Sequence, residues 1–538
     1  MKIRKFILIL TFVLTSQTLL FAQTQSFRIF PSVITQSEPV ITVSPLNRQV
    51  LFASAVTLNT SNGFKSEGVY VSTNGGLNWT GSDVNNGPNV NNHGGDPGVA
   101  IDKYGIFILN HIGSFAAGLY SHYSTNNGLN WSPAVTITTV QPEDKGTTTI
   151  DNFLSSPYYG RIYAVWVNYI SPFPVLCSYS DSSGRYWTTP QQINNPPARC
   201  SGGFVEVFKN GNVYVCWARV INTSPFTEDY VGFAYSINGG SNWTVNENVY
   251  DMNGINGTLP EKSNIRVNGL PQLAIDNSNG PRSGWIYIVT TEKNLSPAGT
   301  DPDIIMHRST NGGINWSQGI RVNQDPLNNG KIQYFPYLAI DSNGVLYVLF
   351  YDDRRTTSDS AEVFLARSTD GGDSWNEFVV SEHRFKPKPI IGFASNYQGD
   401  HITLLSVGKN LYALWMDDYS GLYQIWCKIL DITTISVRNI SQSLPDNFKL
   451  YQNYPNPFNL TTNIRFALKS KSNAYIEVYD LKGNRVFVSE VMHLNAGEYD
   501  YSLKLNDLAS GVYFYRLVAA DNNSGSFVSS VFKLILLK

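Results

Sequence analysis

Three carboxylate groups stand out in the second half of the chain: Asp352–Asp353, Asp400 and Asp417–Asp418. A glycosidase needs two carboxylates about 5–10 Å apart across the scissile bond, one as acid and one as base or nucleophile. Arg354 and Arg355 follow the first pair directly. A guanidinium grips a carboxylate with two parallel hydrogen bonds, so these arginines could clamp an acidic sugar. A structural account competes. Tyr351-Asp-Asp-Arg354 and Trp415-Met-Asp-Asp418 sit at equivalent places in a repeat, where acidic residues cap strand ends or pair with neighbouring loops. Other chemistries find less. Cys177, Cys200, Cys216 and Cys427 show neither a CxxC pair nor a Cys/His zinc spacing, and each lies in or beside an apolar run, which reads as buried free thiols, a disulfide in an oxidising compartment being the alternative. The cluster around Asp301 and Asp303 lacks a calcium-loop spacing. With no Walker loop, HExxH or GxSxG, no metal and no cofactor is expected.

The elements that must position these residues are strands. Charged residues are 15% of the 538 and aromatics 13%, and the net charge is −2. That excludes a generally basic nucleic-acid binder and a largely disordered chain. Six segments share one pattern, Ser72-Thr-Asn-Gly-Gly-Leu-Asn-Trp79 being the first; the others start at Ser124, Ser180, Ser236, Ser309 and Ser368. Asn or Asp at the third position can make an Asx-turn, Gly at the fifth accepts positive φ, and Trp at the eighth buries a large face. Only the third copy departs, with Ser182 at the Asx position.

Each copy sits in a unit of four antiparallel strands. Successive turns start 52, 56, 56, 73 and 59 residues apart, which allows for one loop insertion. Such a period is that of propeller blades. First strands begin near Pro39, Gly98, Thr147, Gly203, Pro271, Tyr337 and His401. This predicts an all-β, seven-bladed β-propeller, with Ser26–Phe30 as the outer strand that completes the last blade; a six-bladed ring with one merged unit is the alternative. The 2–3 loops and 4–1 connections then share a face bearing His93, Asp96, Asp144, Arg199, Asp400, His111, Tyr169, Arg219, Glu228 and Asp418 among others.

The six turns resemble the Asp-box (BNR) repeats of sialidases and related propellers. The resemblance implies the fold over residues 23–440. Sialidases use three arginines for the substrate carboxylate, a Tyr/Glu nucleophile pair and an Asp acid/base. By that likeness Arg199, Arg219 and Arg354 could supply the arginines, Tyr397 the nucleophile, Glu206 its partner and Asp353 the acid/base. Arg355, Asp400 and Asp418 could add substrate contacts. No family motif fixes any of these residues. Phe27-Arg28-Ile29-Phe30-Pro31 is similar to the FRIP motif, but an extra Phe intervenes and an outer strand would keep Arg28 from the channel.

The ends of the chain read as addresses. Met1-Lys-Ile-Arg-Lys5 precedes an apolar run from Phe6 to Phe21, which predicts a signal peptide over residues 1–22 cleaved near Ala22. No other stretch approaches the ~20 apolar residues of a membrane span. After a linker at 441–450 come YQNYPNPFN, EVYDLKGNRV and LASGVYFYRL, and then a short strand closing in Lys538. Residues 451–538 therefore read as a small Ig-like β-sandwich that resembles the type A C-terminal sorting domain of type IX secretion cargo, with Leu460 where that family usually has Pro. The resemblance implies the type IX machinery as partner, and release or display at the outer-membrane surface of a Gram-negative bacterium. Two functions are then open: a recognition propeller for an extracellular glycan or protein, which the lack of a complete catalytic motif favours, and an exo-acting, sialidase-like hydrolase of acidic sugars.

Overall fold

A computed structural model of the chain describes residues 25–538, apart from 86–92, 142, 197–198, 433–436, 442–444, 471, 490, 495, 506–507 and 522–524. The signal peptide expected over residues 1–22 lies outside the described residues. The chain divides into two compact units. One holds Gln25–Ile440 with Tyr499–Lys504, the other Ser441–Glu498 with Leu505–Lys538.

The first unit is all-β, its helical content limited to one-turn 3₁₀ segments such as Pro260–Lys262. Its described residues form seven four-stranded antiparallel sheets. In the first six the strands follow chain order. Sheet 1 runs Thr35–Val43, Leu51–Asn59, Phe64–Ser72 and Thr80–Ser82. Sheet 2 runs Gly95–Ile101, Phe107–Ile112, Leu119–Ser124 and Val135–Thr138, and sheet 3 runs Glu143–Ile150, Ile162–Asn168, Val175–Ser180 and Gln191–Gln192. Sheet 4 runs Cys200–Val207, Val213–Val220, Glu228–Ser236 and Thr244–Asp251, and sheet 5 runs Gln272–Ile275, Ile286–Glu292, Asp303–Ser309 and Ile320–Arg321. Sheet 6 runs Gln333–Ile340, Leu346–Asp352, Glu362–Ser368 and Asn376–Val379. Sheet 7 takes Thr403–Val407, Asn410–Asp417 and Gln424–Asp431, and its outer strand is Phe27–Arg28 from the other end of the unit. Phe27 lies opposite Cys427 and Arg28 opposite Trp426. Arg28 is thus in an outer strand. The first strands of consecutive sheets lie side by side, and that of sheet 7 lies beside that of sheet 1.

Second strands such as Phe107–Ile112, Ile162–Asn168 and Leu346–Asp352 are buried at every residue. Their sequences are apolar runs rather than alternations because a sheet covers each face. The cores lie between neighbouring sheets: Phe52, Val69 and Val71 of sheet 1 pack on Val99, Ile101 and Phe107 of sheet 2. Phe52, fully buried, alone contributes about 1.5–3 kcal/mol.

The six repeated turns share two hydrogen bonds, from the fifth-position glycine N–H to the Ser hydroxyl and from the seventh-position N–H to the third side chain, and in the first, second, third and fifth copies the Trp Nε1 adds one to the glycine carbonyl. In the first, Ser72 Oγ accepts the Gly76 N–H at 2.8 Å, Asn74 Oδ1 accepts the Asn78 N–H at 3.0 Å, and Trp79 Nε1 donates to Gly76 O at 3.0 Å. The fifth-position glycines all have positive φ, from 76° at Gly184 to 96° at Gly372. In the third copy the Ser182 hydroxyl does the work of the Asx side chain, accepting the Tyr186 N–H at 2.8 Å. All four cysteines are buried and unpaired.

The first strands share a second device. In sheets 1, 2, 3, 4 and 6 the register with the second strand shifts near the start of the first strand, as between Ser37 and Val40 or Tyr334 and Tyr337. Glu38, Asp96 and Phe335 sit in these bulges with φ of 54°, 49° and 53°. A bulge re-aims side chains, and left-handed backbone at a non-glycine residue costs about 1–3 kcal/mol.

In the second unit, Ser472–Tyr479 and Gly511–Asp521 pair at the centre of a six-stranded sheet. The EVYDLKGNRV segment forms the turn from Ser472–Tyr479 to Arg485–Val488, closed by Asp480 Oδ1 accepting the Asn484 N–H at 2.9 Å. Glu477 is paired with both Arg485 and Arg516 at 2.7 Å.

Candidate functional site

Two cavities lie among the seven sheets. The first, of about 90 Å³, is lined by the first strand of every sheet, from Val40 through Val99, Thr148, Glu206 and Gln272 to Tyr337 and Thr403. Glu206, next to last in its strand, lines it. Burial pushes its carboxyl up to about 8, so at neutral pH it carries a proton. Asp96 and His401 line the same space.

The second cavity, of about 160 Å³, opens among the 4–1 connections and 2–3 loops. Asp144 and Tyr169 of sheet 3, Arg199, Ser201, Phe226 and Glu228 of sheet 4, and Asp400 before sheet 7 line it. The rest of its wall is an insertion between sheets 4 and 5. This holds a two-stranded hairpin, Gly257–Leu259 with Ile265–Val267, and contributes Asn256, Arg266 and Asn268. The insertion is tied down along its length. Gly269 N–H and Asn256 N–H each donate to the Glu228 carboxylate at 3.0 Å, Arg266 N–H donates to Asn396 O at 2.6 Å, and Asn268 Nδ2 donates to Asp400 O at 3.3 Å. Its apolar residues Ile255, Leu259, Ile265 and Val267 join the core around Tyr334 and Tyr351.

Charges in this cavity are not equally committed. Arg266 pairs with Asp400 and lies over the Tyr397 ring, 4.9 Å from its centroid. Glu228 is buried, which raises its pKa against the pull of the backbone donors. Tyr169 is pushed far up by burial and by Asp144. Arg199 differs. Its guanidinium lies over three rings, at 4.5 Å from Tyr169, 4.7 Å from Phe226 and 5.4 Å from Phe173, and among the described residues it has no salt bridge. The stacked rings fix the plane of the guanidinium while its charge stays available to a ligand.

Of the residues singled out in the sequence, Arg199 and Asp400 share this cavity with Asp144, Tyr169 and Glu228, and Glu206 is in the other with Asp96. Asp353 lines neither: it is fully buried, 2.8 Å from the equally buried Lys262 Nζ, and its other oxygen accepts the Ile332 N–H at 2.8 Å. An acid/base with both oxygens so occupied has no access to a substrate. Tyr397 is 7% exposed, and burial holds its phenol far above the usual range, which disfavours a phenolate nucleophile. It lies against Arg266 and Phe393 and not beside Glu206, whose carboxyl acts instead on Tyr337. Arg219 is held two-pronged by Asp229 at 2.8 and 3.1 Å and stacks on Tyr230. Arg354 is enclosed by Asp352, Glu377 and Asp325. Arg355 is exposed, 3.7 Å from Glu362, and Asp418 pairs with Lys388. Three arginines converging beside a Tyr/Glu pair are not found among the described residues. Sequence reasoning missed Arg266 and Lys262; the 73-residue spacing between the fourth and fifth turns was the signal of the insertion that carries them.

Residues 452–529 match the family model of the secretion system C-terminal sorting domain. The chain thus carries a type IX sorting domain at its C-terminal end, which marks it for secretion or cell-surface display. No curated protein matches the sequence. Among solved structures, a protein of unknown function from Dyadobacter fermentans is similar at 12% identity and TM-score 0.44, over 76% of this chain and 99% of that one. An ulvan lyase bound to a GlcA(1-4)Rha3S unit is similar at 12% identity and TM-score 0.46, over 74% and 94%. An α-L-arabinofuranosidase from Fusarium graminearum gives 11% identity and TM-score 0.38, over 63% and 92%. Likeness at this level says nothing of chemistry. No helix among the described residues is long and apolar enough to cross a membrane.

Proposed function

We propose that the chain is an exported recognition protein whose second cavity binds an acidic extracellular glycan. In this reading the seven sheets are the blades of one Asp-box, sialidase-like propeller, and the C-terminal unit is an Ig-like sorting domain of type A. The observation that carries the binding reading is Arg199: a guanidinium stacked on aromatic rings, free of salt bridges among the described residues, in a cavity whose other polar lining is hydroxyl, amide and carboxylate groups and the Asp400-paired Arg266. Such groups hydrogen-bond sugar hydroxyls, and the cation suits a uronate carboxylate or a sulfate. The carboxylates Glu228 and Asp400 are engaged by backbone donors and by Arg266, which favours binding over bond cleavage.

Calorimetry with an oligouronide and its carboxyl-reduced counterpart tests this. A hydrogen bond to a charged group is worth about 1.5–3 kcal/mol, or roughly 10–150-fold in affinity. Arg199→Gln is expected to weaken oligouronide binding by that factor, to leave the Tm unchanged, and to abolish the preference over the reduced form. Equal affinity of variant and wild type would refute the reading. A second reading, exo-acting hydrolysis of acidic sugars, draws on protonated Glu206 with Asp96 in the first cavity. Reducing ends released from the same oligouronide by wild type and not by Glu206→Gln would favour it.

A further inference from the structure

Glu67 in the third strand of sheet 1, His93 in the segment leading into sheet 2 and His111 in the second strand of sheet 2 converge in the interior. They are 0%, 3% and 1% exposed, and one donor atom from each lies within 4.8 Å of the others. The His93 and His111 rings stack at 4.8 Å, His93 Nδ1 meets Glu67 Oε2, and His111 Nδ1 is 3.9 Å from that same oxygen. The other carboxylate oxygen accepts the Gly95 N–H at 3.2 Å, which fixes the carboxylate's orientation.

Behind His111 stands His122, in the third strand of sheet 2 and fully buried. Their Nε2 atoms are 3.1 Å apart, His122 Nδ1 is 3.0 Å from Ser132 O, and His111 Nδ1 is 2.9 Å from Ile112 O. Each of these three contacts needs a proton, and two neutral imidazoles carry only two. If His122 Nδ1–H donates to Ser132 O and His111 Nε2–H donates to His122 Nε2, both protons are used. His111 Nδ1 then carries a lone pair toward Glu67, and its approach to Ile112 O is the contact left without a proton. This is the arrangement of a metal-binding histidine, whose second ring nitrogen donates to a neighbour that sets its tautomer.

We propose that Glu67, His93 and His111 hold a divalent transition-metal ion of the zinc class, with His122 as the positioning residue behind His111. Two imidazole nitrogens and one carboxylate oxygen suit such an ion; calcium and magnesium prefer all-oxygen shells. Because the donors are buried and come from both sheets, the ion is structural and joins sheet 1 to sheet 2.

The test is titration of the chelator-treated full chain with Zn²⁺ alone, followed by calorimetry and Tm, and with Co²⁺ alone, followed by visible absorption. One equivalent of either metal, a Tm raised by Zn²⁺ and a tetrahedral-type Co²⁺ spectrum are expected. Glu67→Gln and His111→Ala should abolish binding, and His122→Phe should weaken it by about 10–100-fold. Folded wild type that takes up neither ion overturns the proposal. Uptake that survives both Glu67→Gln and His111→Ala overturns it as well, by placing the ion elsewhere. The wild-type titrations decide the matter even if a variant fails to fold.

Discussion

Lys262→Met is expected to destabilise the seven-sheet unit by about 3–5 kcal/mol, because it strands a buried carboxylate without its cation. Lys262 Nζ spends all three donors inside the protein: on Asp353 Oδ2 at 2.8 Å, Ser358 O at 2.7 Å and Ser360 O at 2.9 Å. Both members of the pair are fully buried. Burial lowers the lysine pKa, and the Asp353 charge works against that. The pair also fastens the insertion between sheets 4 and 5 to the 2–3 loop of sheet 6. In Lys262→Met the carboxylate keeps only the Ile332 N–H. The double variant Lys262→Met, Asp353→Leu removes both charges and should recover most of the loss, since apolar replacement of a buried pair is often neutral or stabilising. Urea unfolding of wild type and the two variants measures this. A loss under about 1 kcal/mol in the single variant would show a solvated pair.

Glu206→Gln should stabilise the protein at alkaline pH and flatten part of its pH dependence. Burial raises Glu206 from its ordinary 4.5 to about 8 in the folded chain. The folded state therefore holds a proton that the unfolded state releases. Its contribution is complete below about pH 4.5 and is lost as pH rises through about 8. Each pKa unit is worth 1.36 kcal/mol; discounted for the partial contact of Glu206 with the cavity, the loss across that window is on the order of 2–4 kcal/mol. Glutamine keeps the shape and cannot ionise. The wild-type minus variant difference in urea stability, followed from about pH 5 to 9, isolates this group from other raised carboxyls such as Glu143 and Glu292, which both proteins share. Parallel curves would mean that Glu206 is ionised in the folded chain at neutral pH.

The repeat carried most of what could be read ahead of the structure. A Ser/Asx/Gly/Trp turn is local chemistry: its hydrogen bonds close within eight residues, as Ser72 to Trp79 shows, so its type is written in adjacent letters. The outer strand at Phe27–Arg28 was also legible, because its composition matched the other outer strands. The contents of the insertion were not. Ile265–Val267 is three residues long and too short for a period, and whether Arg266 meets Asp400 or Lys262 meets Asp353 depends on contacts 134 and 91 residues away. Asp353 and Arg354 looked like chemistry because they adjoin; burial gave each its own partner, Lys262 for one and Asp352 with Glu377 for the other. Glu67 and His122 lie inside ordinary strands, and nothing in their neighbours marks them as facing His93 and His111.

The second cavity draws on sheets 3 and 4, on the insertion and on the approach to sheet 7, so the account rests on the sheets forming one closed cycle latched by Phe27–Arg28. That register puts residue 27 opposite the native Cys427, and directly opposed residues in an antiparallel pair are within disulfide reach. Phe27→Cys, oxidised and digested, should yield one cross-linked peptide joining positions 27 and 427 in high yield, with Cys177, Cys200 and Cys216 left as free thiols. Recovery of free thiols at both 27 and 427, or a cross-link from 27 to any other cysteine, would contradict the closure.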